Sequence, residues 1–269
     1  MKSFCLFCLL LVVLLVHASV DTISIYSKAM NKPISVVIVK PNEIAKNEKI
    51  PTVYLLHGHG ANYKQWITAA PQIEKTSNKM KALLVLPDGG YNSWYFDSKI
   101  DTSCKYETFI INELIPYIDA NFPTINNRNA RAITGLSMGG HGALYLAIKH
   151  QNLFAAAGSI CGGVDIRPFP KNWDIAKKLG TIESYPSNWE KNTVINLVDS
   201  LKNGDLNIIF DCGTDDFFVS ANRAFHKKLL AKKIAHTYTE RPGKHNSNYW
   251  GSSIDYQLIY FKNWFADNQ

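Results

Sequence analysis

The chain has 269 residues, 46% of them apolar, 19% charged and 12% aromatic, with a net charge of +7. That profile excludes a disordered tail, a collagen-like fibre and a small disulfide scaffold. The lysine pairs at 227–228 and 232–233 fall in one amphipathic stretch and read as a solvated helix face. No nucleic-acid-binding motif accompanies them, so no nucleic-acid partner is expected. In chain order, Lys2 precedes the apolar run Phe4–Val16 and the small residue Ala18. A bilayer span needs roughly 20 apolar residues, so this shorter run reads as a secretory signal cut after Ala18. The expectation is a signal over residues 1–18, one domain over residues 19–269, a secreted or periplasmic protein and no stable membrane span after cleavage. Cys5 and Cys8 fall before the cut. Cys104, Cys161 and Cys212 remain; the last two could pair, but buried free thiols are the simpler reading.

Short apolar runs then alternate with helical spacing. Ile23–Tyr26 and Ile34–Val39 open as strands. Thr52–Leu56 ends in His57-Gly58-His59-Gly60, and Ala82–Leu86 in Pro87-Asp88-Gly89-Gly90. Tyr106–Asn121 has helical periodicity. Arg131–Thr134 enters Gly135 as a strand, Met138–His150 is helical and Phe154–Ile160 is again a strand. Residues 165–205 lack a clear period and read as an excursion forming one wall of a cleft. Leu206–Phe210 is a strand, Ala221–Lys233 a helix, His236–Glu240 a strand and Tyr249–Asp267 a closing helix. Apolar strands alternating with helices predict an α/β fold, a mostly parallel sheet covered on both faces. Ligands of such sheets gather at the carboxyl ends of the strands.

Gly135-Leu136-Ser137-Met138-Gly139 lies between a strand and a helix. A G-x-S-x-G turn there projects a serine hydroxyl above the sheet. A hydroxyl needs an imidazole to take its proton, and the imidazole needs a carboxylate to orient it. Asp211-Cys212-Gly213-Thr214-Asp215-Asp216 follows the next long strand, and Pro242-Gly243-Lys244-His245 follows the last one. The order Ser, acid, His is the one this fold requires. Of eight histidines, His245 alone is late, on a loop and at the right end of the sheet. His141 is expected to be packed, and His150 and His226 exposed. His57-x-His59 lacks a third ligand with suitable spacing, so no metal and no cofactor is expected. The backbone N–H groups of His59 and Met138 are the expected oxyanion donors.

Together these residues resemble the esterase D branch of the α/β-hydrolases. That branch includes S-formylglutathione hydrolases, small-acyl esterases, feruloyl esterases and the antigen 85 mycolyltransferases. The resemblance runs from about Thr22 to the end. Its carriers are Tyr54-Leu55-Leu56-His57-Gly58, Leu86-Pro87-Asp88-Gly89-Gly90, Ser93-Trp94-Tyr95, Glu113-Leu114-Ile115-Pro116-Tyr117, Gly135–Gly140, Asp211–Asp216 and Gly243-Lys244-His245. It implies an α/β-hydrolase fold and a triad of Ser137, Asp216 and His245, with Asp215 the competing acid. The implied activity is hydrolysis of short-chain acyl or aryl esters, with small-molecule or carbohydrate esters as substrates. Acyl transfer of the antigen 85 type and S-formylglutathione hydrolysis are the alternatives, and a non-catalytic binding module is the remaining one. Trp94, Tyr95 and Trp173 are expected to contact substrate, with Tyr91, Phe96 and Trp189 as further candidates for the cleft. Two positions depart from the family pattern: Ala61, where many relatives have a second glycine, and Ser247, where relatives often carry Trp.

Overall fold

The computed structural model describes residues 19–268. The apolar run and the expected cleavage point lie outside the described residues. Eight strands form one sheet: β1 (Ser19–Ser27), β2 (Lys32–Lys40), β3 (Thr52–Leu56), β4 (Leu83–Pro87), β5 (Arg131–Gly135), β6 (Ala156–Ile160), β7 (Asn207–Gly213) and β8 (His236–Arg241). Their spatial order is β1-β2-β4-β3-β5-β6-β7-β8. β1, β2 and β4 pair antiparallel, and every pairing from β4 to β8 is parallel. The sequence explains which strands lie where. β3, β4, β5 and β6 are buried at every position, as continuous apolar runs covered on both faces should be. β8 has no fully buried position, and β1 is buried only towards its end; these are the two edges.

The connections fix where a ligand can sit. From β3 the chain moves outward to β4, then returns across β3 to β5. Such a reversal of direction opens a crevice at the carboxyl ends of the two strands on either side of it. Here those strands are β3 and β5, whose last residues, Leu56 and Gly135, stand side by side.

Helices cover both faces of β6, and its alternation shows how. A Cβ on Gly140, in the helix Met138–Lys149, would lie 2.6 Å from Ser159 Oγ, whereas one on Gly158 would lie 2.2 Å from Gln257 Oε1 in the closing helix Ser247–Asn268. Neighbouring strand residues point to opposite faces, so the two helices sandwich this strand. The stretch expected as one helix over Tyr106–Asn121 runs through a π-helical turn at Phe109–Leu114. Phe109, Ile110, Ile111, Leu114, Ile115 and Ile118 are all buried. That apolar stripe is wider than a regular 3.6-residue turn places on one side.

Residues 165–205 form three short helices, Ile175–Leu179, Pro186–Asn192 and Val194–Leu197. Trp189 is fully buried, and its indole N–H donates to the Gly180 carbonyl. Ile175, Leu179, Val194 and Val198 join the same apolar cluster as the sheet. Among the described residues, no helix is long and apolar enough to cross a membrane.

Candidate active site

Ser137 stands two residues past β5 with φ 55° and ψ −117°, a left-handed backbone that a non-glycine residue adopts only under constraint. The constraint is visible on both sides. A Cβ on Gly135 would lie 2.5 Å from the Gly139 carbonyl, and one on Gly139 would lie 2.3 Å from the Leu56 carbonyl. Only glycine lets the strand, the turn and the following helix approach this closely. The Ser137 amide donates to the Ile160 carbonyl at 2.9 Å, which ties the turn to β6.

The loops after β7 and β8 bring the other two groups. Thr214 N–H donates to the Arg241 carbonyl and Asp215 N–H to the Gly243 carbonyl, which zips the two loops together beyond the sheet edge. His245 Nε2 lies 2.9 Å from Ser137 Oγ, and its Nδ1 lies 2.7 Å from Asp216 Oδ2. The other carboxylate oxygen of Asp216 accepts the Phe218 N–H at 2.8 Å. Asp216 is buried, while Asp215 is exposed. Burial disfavours a charged His245 ring, but the hydrogen bond and charge of Asp216, with a contribution from Cys161, outweigh it, and the pKa of His245 is raised. The imidazole is framed by Phe217 at 4.2 Å and Trp250 at 5.1 Å between ring centres.

The turn after β3 faces the serine. The amides around His59 are committed, Gly58 N–H to Gln65 Oε1 at 2.8 Å and Gly60 N–H to the Tyr91 carbonyl at 2.8 Å. The His59 ring packs edge-on to Tyr91, and burial lowers its pKa, which keeps it neutral. Met138 opens the helix that follows the serine, so its N–H lies at the positive end of that helix dipole.

The remaining histidines among the described residues are structural. His57 is buried; its Nδ1–H donates to the Gly58 carbonyl at 2.8 Å and its Nε2 accepts the Gly89 N–H at 2.7 Å. Both nitrogens are thus used to pin the β3 turn to the β4 turn. His141 is buried, with Nε2 at the Asn192 carbonyl and its pKa lowered to about 4 by burial. His150 and His226, expected to be exposed, are half-buried: His150 pairs with Glu107 at 2.8 Å and His226 with His236 at 2.7 Å.

The aromatic expectations need correction. Trp94 and Tyr95 both have left-handed backbones, φ 53° and 61°, which turn their rings inward from the loop after β4. Tyr95 is 0% exposed, lies against Gly89 and Gly142, and its hydroxyl donates to the His57 carbonyl. It supports the β3 turn and cannot touch a substrate. Trp94, 1% exposed, packs edge-on to His141 and sits under Gly163. Phe96 and Trp189 are also core residues. Trp173 reaches the surface, stacked on Phe217 at 5.4 Å, and Tyr91 is exposed. Sequence reasoning passed over Phe217, which adjoins the acid and covers the imidazole. Its signal was position alone, directly after Asp216. It also passed over Cys161, whose sulfur lies beside His245 and Asp216. Cys104, Cys161 and Cys212 are all free and buried.

Comparison with known proteins gives the family and the fold. The family model described as Putative esterase matches residues 27–261. An acetyl esterase of Caldicellulosiruptor saccharolyticus is 28% identical over 252 residues, covering 86% of this chain and 94% of its own. Bovine S-formylglutathione hydrolase is 25% identical over 233 residues, covering 77% of this chain and 80% of its own. The solved structure of a ferulic acid esterase superposes with a TM-score of 0.80 at 27% identity, over 92% of this chain and 99% of that one.

Proposed function

Given that this chain belongs to the Putative esterase family and is an esterase with the α/β-hydrolase fold, we propose that it is an exported serine carboxylesterase. Its reaction runs through an acyl-enzyme on Ser137. The observation that carries this is the unbroken path from Ser137 Oγ to His245 Nε2 at 2.9 Å and from His245 Nδ1 to Asp216 Oδ2 at 2.7 Å.

His245 takes the Ser137 proton as the hydroxyl oxygen attacks the ester carbonyl. Asp216 holds the Nδ1–H tautomer and stabilises the imidazolium that forms. The carbonyl oxygen becomes an oxyanion held by the His59 and Met138 N–H groups; one such donor is worth about 3–4 kcal/mol to the transition state. His245 then gives its proton to the departing alcohol. Water repeats the sequence on the acyl group and restores the serine. The raised pKa of His245 suits a group that must hold this proton between the two transfers.

The substrates we propose are short-chain acyl or aryl esters, including carbohydrate-linked ones. The exposed Tyr91 and the Trp173–Phe217 stack at the rim support this, because flat rings pack well against sugar and aryl groups. Export is proposed from Lys2, the apolar run Phe4–Val16 and Ala18. Purified protein should hydrolyse p-nitrophenyl acetate, and Ser137→Ala should abolish this. Turnover that survives Ser137→Ala would refute the reading. A panel of acetyl, butyryl and feruloyl esters then sets the acyl preference, and the N-terminal sequence of exported protein tests the cut after Ala18.

A further inference from the structure

We propose that a thiophilic divalent cation, with Zn2+ as the reference case, binds inside the triad on Cys161, Asp216 and His245 and switches the esterase off. A sulfur, a carboxylate oxygen and a ring nitrogen from these residues lie within 4.8 Å of one another. They arrive from three separate places: the end of β6, the loop after β7 and the loop after β8. Each is fixed for its own reasons. The Cys161 amide donates to the Asp211 carbonyl at 2.8 Å, Asp216 is anchored by the Phe218 N–H, and His245 is held between Phe217 and Trp250.

Tetrahedral zinc with bonds of about 2.0–2.3 Å spaces its ligand atoms roughly 3.3–3.8 Å apart. Closing the cluster onto a cation therefore takes side-chain rotations, with the His245–Asp216 contact opening slightly as the sulfur moves in. The donor set selects the metal. One sulfur, one imidazole nitrogen and one carboxylate oxygen suit zinc and its softer neighbours, whereas magnesium and calcium demand oxygen ligands. Charge also balances: a thiolate and a carboxylate neutralise a divalent ion, so the buried cluster carries no net charge.

Burial pushes the Cys161 thiol pKa up, so the resting group is protonated. Binding must release that proton: Cys161–SH and Zn2+ give Cys161–S–Zn+ and H+, with His245 coordinating as a neutral ring. The reaction uses no oxidant. Three protein ligands leave a fourth position for water. Once captured, His245 cannot accept the Ser137 proton, and Asp216 no longer orients it.

The inhibitory readout rests on the triad reading above; the binding readout does not. Zn2+ should inhibit p-nitrophenyl acetate hydrolysis, with recovery on adding a chelator. Cys161→Ala and Cys161→Ser should each raise the Zn2+ concentration for half-inhibition by about tenfold or more. His236→Ala, which removes the separate His226–His236 pair, should leave it unchanged. In the second arm, Co2+ added to Ser137→Ala protein should give a near-ultraviolet thiolate-to-cobalt band. That band should be missing when Cys161→Ala is added. Zn2+ inhibition that persists undiminished in both Cys161 variants, or that vanishes with His236→Ala, overturns the proposal. So does the absence of a cobalt band that depends on Cys161. If the wild type hydrolyses no ester, the catalytic reading fails, and the cobalt arm still decides this one.

Discussion

The two ends of β5 carry two carboxylate contacts of nearly the same length and opposite purpose. At its start, Arg131 Nη2 meets Asp119 Oδ2 at 2.6 Å; just past its end, beside Ser137, His245 Nδ1 meets Asp216 Oδ2 at 2.7 Å. The arginine end is closed. Its guanidinium also donates to the Leu153 carbonyl and to Asn126, and arginine keeps its proton at any working pH. The histidine end is left open on one side. Asp216 uses one ring nitrogen, and the other is presented to a hydroxyl held on a strained turn. A fixed charge makes a staple, while a titratable ring with one uncommitted nitrogen makes a device for moving protons. The contrast also follows the sheet, since ligand crevices form at the carboxyl ends of the strands.

The largest effect should come from damaging the open end. Asp216→Asn keeps the shape but loses the charge that fixes the tautomer, and should lower kcat by about four orders of magnitude. Asp215→Asn, at an exposed side chain, should change kcat by less than threefold or so. Steady-state kinetics on the pair decides between the two acids; a reversed order would move the acid to Asp215.

Damage at the closed end should read out differently. Asp119→Ala leaves a buried guanidinium without its counter-charge, and breaking such a pair costs about 3–5 kcal/mol of stability. Urea unfolding should show that loss, while kcat per folded molecule stays near the wild-type value. A fall in kcat comparable to that of Asp216→Asn would mean the two ends are coupled along β5.

A third difference concerns pH. His245 must be neutral to act as base, so activity falls as pH drops through its pKa. Asp216 raises that pKa above the ordinary value of 6.5, so the acid limb of kcat/KM should lie above 6.5. In Asp216→Asn the residual activity should have its limb at lower pH. The stability that the charged pair adds is fully present below the unfolded pKa and fades as pH rises through the folded one. Unfolding free energy measured against pH should therefore decline across that window in the wild type and stay flatter in Asp216→Asn.

What could be read from the sequence follows from where each signal is stored. Thr52–Leu56 was legible to the residue because an apolar run is bounded by Pro51 and a polar turn, and burial on both faces is written into composition. Ser137 and His245 were legible because a glycine-spaced turn and strand order constrain chemistry directly. The short helices over residues 165–205 were not, since helices of four to seven residues show only about one to two periods. The inward turn of Trp94 and Tyr95 was hidden for another reason. Left-handed backbone at two successive large residues is imposed by tertiary packing against residue propensity, and no local pattern announces it.

That last point supplies the smallest and sharpest test, on two aromatic residues that sequence reasoning treated alike. Tyr95 sits under the β3 turn with its hydroxyl on the His57 carbonyl, whereas Trp173 is partly exposed against Phe217. Tyr95→Phe keeps the ring that fills the space beside Gly89 and Gly142 and removes one buried hydrogen bond. It should cost about 1 kcal/mol of stability. Because that bond steadies the turn carrying His59, any kinetic loss should fall on kcat, with KM for aryl esters unchanged. Trp173→Ala removes ring surface at the rim, so it should raise KM for feruloyl esters more than for acetate. A KM increase in Tyr95→Phe would mean that the loop after β4 opens to admit substrate to a ring that is otherwise sealed in the core.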